Sequence, residues 1–182
     1  MLGRILKDAR TEYGITQKGL GDMFHLSGSM ISEVEQGRRR IPKDIKPRLA
    51  RELDDPALYL TLAREATGGI GAPWLDRIDG HRVCCVMKFR EEVIEALEML
   101  EQVMPVLLRP EGREQVTTGE LDTIKTTMVE IIEVVTASQN TVARLAKGYG
   151  FNLAQLWDEH QEKLIRSGYL DKKNKPSKAA SK

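Results

Sequence analysis

"SGSMISEVEQG", residues 27–37, is the stretch whose reading decides how the first third of the chain folds. Ser27 is a strong helix N-cap and Gly37 a strong C-terminal stop, so the residues between them predict one short helix. Its apolar positions, Ile31 and Val34, lie three apart and share a side. Leu26, just before the cap, pairs with Ile31 as a hydrophobic staple that sets the entry angle of the chain. The opposite side carries Ser29, Ser32, Glu33 and Gln36, hydrogen-bonding groups on mostly short stems. A helix of this kind packs with one narrow strip and lets its backbone come close to a polar surface with the other.

Working outward, the flanks repeat the pattern. Upstream, Thr16 is an N-cap for a helix over "TQKGLGDMF", with Ile15 and Leu20 placed for a second staple. Residues 2–13 predict a first helix with Leu2, Ile5, Leu6 and Ala9 on one face, ended by Gly14. Downstream come Arg38, Arg39 and Arg40 without interruption. Pro42 then opens a helical segment to about Leu53, with Pro47 in its first turn or at a kink. A fifth short helix is expected from Pro56 to about Ala66. Residues 1–66 therefore predict five short helices, of which the second and third are joined by a turn of three to four residues.

Helix, tight turn and capped helix together make a helix-turn-helix, and the physical demand on its second helix is particular. The inner face packs on its neighbours, and the N-terminal outer face enters a major groove and bonds to base edges. At this point the stretch "GITQKGLGDMFHLSGSMISEVEQGRRRIP", residues 14–42, resembles the phage-repressor-type, lambda-repressor-like or XRE family of DNA-binding domains. The resemblance covers roughly the first third of the chain and rests most on Thr16 and Gln17 opening one helix, and on Ile31, Glu35 and Gly37 closing the next. It implies that Gly28, Ser29, Ser32 and Glu33 stand where base edges are read. It implies phosphate contacts for Gln17 and for Arg38, Arg39 and Arg40. It implies an internal ion pair between Arg10 and Glu35, a packing and orienting device. Two departures from the pattern stand out. His25 occupies a turn position where glycine is usual, which predicts a left-handed backbone with strain on the order of 1 kcal/mol. Gly28 stands where a long polar side chain is common, which throws direct readout onto Ser29, Ser32 and Glu33. Glu33 has two readings, acceptor from a cytosine amino group or solvated acid paired with a neighbouring arginine.

The rest of the chain is of a different make. "TGGIGAPWLDRIDGHR", residues 67–82, is a glycine-rich linker, yet Trp74, Leu75 and Ile78 predict that part of it packs on a domain. Residues 83–108 read as a long helix with a stripe of Val86, Phe89, Val93, Leu97, Leu100, Met104 and Leu107, and Pro105 in its last turns. "RPEGREQV", residues 109–116, reads as a loop, and "TTGE", 117–120, as a capping box opening the next helix. That helix carries Leu121, Ile124, Met128, Ile131, Val135, Val142 and Leu145 at alternating spacings of three and four, with Ser138 in the same series; this is the period of a coiled-coil seam. A last helix is expected over about 152–167, with Leu153, Leu156, Trp157, His160 and Leu164 on offer. The expected organisation is all-α: a DNA-binding domain at 1–66, the linker at 67–82, a helical oligomerisation bundle at 83–168, and a disordered basic tail at 169–182.

Composition agrees with helices throughout. Aromatic residues are only 5% of the chain and charged ones 30%, so the core must come from Leu, Ile, Val, Ala and Met. The net charge of +1 hides an acidic middle, with 7 basic and 11 acidic residues over 83–150, between two mildly basic ends. No apolar run approaches the ~18 residues of a membrane span and no leader pattern opens the chain, so a cytoplasmic protein without membrane partners is expected. The adjacent Cys84 and Cys85 read as two small buried hydrophobes at a helix start, and with His81 they make too thin a set for a metal.

The expected function is sequence-specific binding of double-stranded DNA by a homodimer on an inverted repeat, in transcriptional regulation, most simply repression. The seam from Leu121 to Leu145 is the expected dimer contact, and the C-terminal bundle leaves room for a regulatory protein or anti-repressor. No catalytic residue, cofactor or metal is assigned on this reading. The alternative comes from another class. "EEVIE", 91–95, and "EIIE", 130–133, loosely resemble the EExxE…ExxD pattern of all-α, magnesium-dependent nucleotide pyrophosphatases, with Glu91, Glu92, Glu95, Glu130 and Glu133 as the carboxylates. Glu133 stands where aspartate is expected, the gap between motifs is long, and no basic phosphate clamp lies nearby.

Overall fold

The computed structural model describes residues 1–109 and 116–171. Eight helices order these residues: α1 (Leu2–Glu12), α2 (Gln17–Met23), α3 (Gly28–Glu35), α4 (Ile45–Leu53), α5 (Pro56–Ala66), α6 (Arg82–Leu107), α7 (Thr118–Tyr149) and α8 (Leu153–Arg166). No strand occurs among the described residues, and none of their helices is long and apolar enough to cross a membrane. The chain is all-α, as its composition predicts. The described residues divide into two compact units, one of residues 1–70 with 146–171 and one of residues 71–109 with 116–145.

In the first unit the caps act where the sequence places them. The Thr16 side chain accepts from Gly19 N–H and the Ser27 side chain from Met30 N–H. Between α2 and α3 the chain turns back with Leu26 N–H donating to the Gly21 carbonyl at 2.8 Å. His25 lies in that turn at φ +56°, and Gly37 leaves α3 at φ +73°. The core gathers Ile5, Leu6 and Ala9 of α1, Leu20 of α2, Ile31 and Val34 of α3, Leu49 and Leu53 of α4, and Leu58 and Leu62 of α5, with Phe24 among them. The helix expected from Pro42 starts later, at Ile45, which puts Pro47 in its first turn, where a missing N–H costs nothing.

The first unit also holds α8, which the sequence alone assigns to the C-terminal bundle. The reason is polar as much as apolar. Asp54 ends α4 in a left-handed conformation and accepts from Leu153 N–H at 3.3 Å, while Leu153 itself is buried. Asp55 caps α5 through Leu58 N–H at 2.9 Å and also receives the Lys147 ammonium at 3.1 Å. Lys147 reaches Glu12 of α1 at 2.6 Å. Neighbouring aspartates thus fasten four helix ends together, those of α4, α5, α7 and α8, a role no periodicity announces.

The second unit is a hairpin of α6 and the larger part of α7. Two side-chain bonds fix its register: Thr127 donates to the Met99 carbonyl at 3.3 Å and Thr141 to the Cys85 carbonyl at 3.1 Å. The two bonds are fourteen residues apart on each helix and run in opposite senses, which defines an antiparallel pair. The faces that meet are built from small residues: Cys85, Ala96 and Val103 on α6, and Thr127, Ala137 and Thr141 on α7, all buried. Small side chains let helix axes approach closely. The large apolar stripe predicted to pack in α6 packs only in part: Phe89, Val93 and Leu100 are half-buried, while Val86, Leu97, Met104 and Leu107 are exposed, offset around the helix from Cys85, Ala96 and Val103. Cys84 is exposed too, donating to Asp79 at 3.2 Å; only Cys85 is buried as expected.

The linker lies against α7 through Asn140 and Arg144. The buried Asn140 amide accepts from Leu75 N–H at 3.0 Å and donates to the Pro73 carbonyl at 2.8 Å. The Arg144 guanidinium stacks over the Trp74 ring at 4.3 Å. The capping box at 117–120 forms in both directions, Thr117 N–H to Glu120 at 2.9 Å and Glu120 N–H to Thr117 at 3.3 Å. Most of the expected loop, 110–115, and the expected tail from residue 172 on lie outside the described residues.

Candidate nucleic-acid interface and an acidic cluster

The outward face of α3 is populated by groups that bond one another. Ser27 and Ser29 share a hydrogen bond at 2.9 Å, Gln36 donates to Ser32 at 3.0 Å, and Arg39 reaches Glu33 at 3.4 Å. These are exposed, weak pairings that exchange readily with another polar partner. Arg38, Arg39 and Arg40 all stand in solvent just beyond the helix. The Glu33–Arg39 pair realises the second of the two readings of Glu33 in the free protein.

Two of the residues singled out from the sequence sit differently. Gly28 does not belong to the outward face. A Cβ on it would stand 3.1 Å from the Lys18 Cα, so its bare backbone is what allows α2 and α3 to close on each other. Gln17 is engaged inside the unit, its amide donating to Glu35 at 2.7 Å, so the phosphate role assigned to its side chain competes with an internal bond. It is also the first residue of α2, whose N-terminus Thr16 caps through Gly19 N–H.

Beneath the face lies the group that orients it. Arg10 donates to Glu35 from Nε at 2.6 Å and from Nη2 at 3.2 Å, and from Nη1 to the Ile15 carbonyl at 2.6 Å. Burial alone would raise the Glu35 carboxyl; the hydrogen bonds from Arg10 and Gln17 outweigh it and hold the group below its ordinary range.

In the hairpin unit, three of the five glutamates of the alternative reading come together. Ligand oxygens of Glu92 on α6 and of Glu130 and Glu133 on α7 lie within 4.8 Å of one another. Glu91 and Glu95 are exposed and outside this set, and Glu91 instead takes Lys88 at 3.3 Å. Lys88 also binds Glu92 at 2.8 Å, an i,i+4 pair that helical spacing makes available and that the motif-based reading passes over. Hydrogen bonds to Glu92 and then Glu91 push the Lys88 ammonium up. Glu133 is pushed up as well, by partial desolvation and then by the charge of Glu92.

The seam expected at the dimer contact is largely in solvent: Met128, Ile131, Val135 and Val142 are exposed, while Leu121, Ile124 and Leu145 are half-buried. Ser138 turns back onto its own helix, donating to the Val135 carbonyl at 3.0 Å. No protein-family model, no curated protein and no solved structure matches this chain.

Proposed function

We propose that residues 1–66 form a phage-repressor-type helix-turn-helix domain that binds one half of an inverted-repeat operator, and that the protein is a DNA-binding transcriptional regulator acting as a homodimer. The observation that carries this reading is α3 itself. Its Ile31 and Val34 are buried, its outward groups are short polar side chains joined by weak, exchangeable bonds, and three exposed arginines follow it. With Ser29, Ser32 and Glu33 at the base edges and Arg38, Arg39 and Arg40 along the phosphates, the helix has both classes of contact that a sequence-specific domain needs. Gly28, in this reading, serves the fit of α2 on α3 rather than a base. A single half-site gives little affinity, and the exposed seam of α7 is the surface on which a second copy supplies the other half. Repression is the simplest outcome of such binding, with the hairpin open to a regulatory protein.

The test is selection of bound DNA from a random pool by the full chain. Enrichment of an inverted repeat is expected. A pool that stays random after successive rounds, at low salt, overturns the proposal.

A further inference from the structure

Glu92 is the most deeply buried charge of the hairpin unit, with 6% of its surface exposed. Its Oε1 faces the Lys88 ammonium at 2.8 Å, but its Oε2 is sealed from solvent and meets no N–H or hydroxyl donor, with the Glu133 carboxyl in hydrogen-bonding reach of Glu92. A carboxylate oxygen in that state has lone pairs with neither water nor donor on them, and proteins keep few such groups without a ligand. The orphan oxygen belongs to a residue that shares its surroundings with Glu130 and Glu133, which stand one turn apart on α7 and so present their carboxylates to the same side. Three acids against one ammonium leave the cluster short of positive charge.

We propose that Glu92, Glu130 and Glu133 form a binding site for a hard divalent cation that ties α6 to α7, with the cation taking the place that the Lys88 ammonium holds on Glu92. The ligand set is all oxygen, the preference of calcium, manganese and magnesium. The three ligand oxygens lie within 4.8 Å of one another, close enough to share one ion. Lys88 is half exposed on a long flexible stem, so it leaves Glu92 for water at little cost. A cavity of about 210 Å³ opens onto Glu92 and Glu133, bordered by Ile78, Cys85, Thr136 and Asn140, and has room for the waters that complete a six- to eight-fold shell. The inference is one of ion binding and not of nucleotide hydrolysis. It concerns the hairpin alone and stands or falls apart from DNA binding by residues 1–66.

Manganese titrated into the full chain and followed by the loss of its free-ion electron paramagnetic resonance signal is the direct measurement, with calcium and magnesium as competitors. One tight site is expected, displaced by an excess of calcium or magnesium. Glu133→Gln, at an exposed position that leaves folding intact, should weaken it at least about tenfold, and Glu92→Gln should abolish it. Lys88→Gln should strengthen it, because the resident competitor is gone, and the melting temperature of that variant should rise on adding calcium. Absence of manganese binding at millimolar concentration overturns the proposal, as does binding that Glu92→Gln and Glu133→Gln leave unchanged. Weaker binding in Lys88→Gln would overturn the exchange with lysine.

Discussion

Arg10 and Glu35 form a two-point clamp, Nε to Oε1 at 2.6 Å and Nη2 to Oε2 at 3.2 Å, with the Glu35 side chain only 3% exposed. Through it α1 holds the last residue of α3, and Gln17 brings the start of α2 to the same carboxylate. Arg10→Met leaves an uncompensated buried charge and should destabilise the first unit by about 3–5 kcal/mol. The loss depends on pH with a definite sign. Glu35 is held below its ordinary value of 4.5, so in the parent its contribution is complete above that value and is lost as pH falls through the lower folded value. In Arg10→Met the Gln17 hydrogen bond is left to oppose burial without the guanidinium, so the carboxyl rises and the variant gains less stability than the parent as pH rises through the carboxylate range. Urea denaturation at pH 7 and near pH 3 should therefore show a wide gap between the two proteins at neutral pH and a narrow one in acid. An equal gap at both would mean that the pair contributes packing only.

The fastening of α8 to the first unit yields a second expectation, opposite to what chain order suggests. A chain cut after residue 66 removes Lys147 from Asp55 and Glu12, and Leu153 from Asp54. Asp55 is 4% exposed and would lose its counterion. The isolated fragment 1–66 should melt well below the same unit in the full chain, and Lys147→Met in the full chain should reproduce part of the drop. Equal melting temperatures for fragment and full chain would show that α8 is a passenger.

How far this was legible can be judged from particular residues. Thr16, Ser27 and Thr117 announce their helices because a cap is a local bond between residues three apart. His25 at φ +56° was legible because a tight turn needs a left-handed residue whatever its type. The packed face of the hairpin was legible only in part, since large apolar residues dominate any periodicity and hide the small buried ones at Cys85, Ala96, Thr127 and Thr141. Nor was the Asp54–Asp55 anchor, which joins residues about ninety positions apart. Of the acidic cluster, the residues were legible and their assembly was not: only the register set by Thr127 and Thr141 brings Glu92 opposite Glu130 and Glu133 and leaves Glu91 and Glu95 out.

Replacing Arg38, Arg39 and Arg40 by alanine should weaken binding to every DNA sequence alike. Each phosphate that is no longer neutralised takes about 0.9 off the slope of log affinity against log salt, so the triple variant should show a slope flatter by up to about 2.7. Fluorescence anisotropy over a salt series reads it. A parallel line shifted downward would place the arginines off the phosphates.

Glu33 carries the opposite signature. In the free protein it holds Arg39 at 3.4 Å, and under the proposed function binding exchanges that partner for a base. Glu33→Ala should change preference at one base pair of each half-site by roughly 1–3 kcal/mol while leaving affinity for random DNA level or slightly higher, because Arg39 is released. Selected motifs from parent and variant decide the matter. If the two motifs coincide, Glu33 is a surface acid whose business is Arg39.

Met128, Ile131, Val135 and Val142 run along one side of α7 in solvent, at spacings of three, four and seven residues, with Ser138 in the last gap. Isolated apolar side chains on a surface need no explanation, but a row on a helix whose other face is already packed does. Stable association takes about 800 Å² from each partner, and the row from Met128 to Val142 offers about 21 Å of helix at about 1.5 Å per residue. Ile131→Glu with Val135→Glu puts two charges into such an interface without touching Thr127, Ala137 or Thr141, which hold the hairpin together. The double variant should keep its helical circular dichroism, sediment as a monomer where the parent sediments as a dimer, and bind a single half-site as well as the parent. Its affinity for a full inverted repeat should fall toward that of one half-site, since the second domain is no longer delivered at high effective concentration. A parent that already sediments as a monomer at micromolar concentration, or a double variant that remains dimeric, would move the interface off this face of α7.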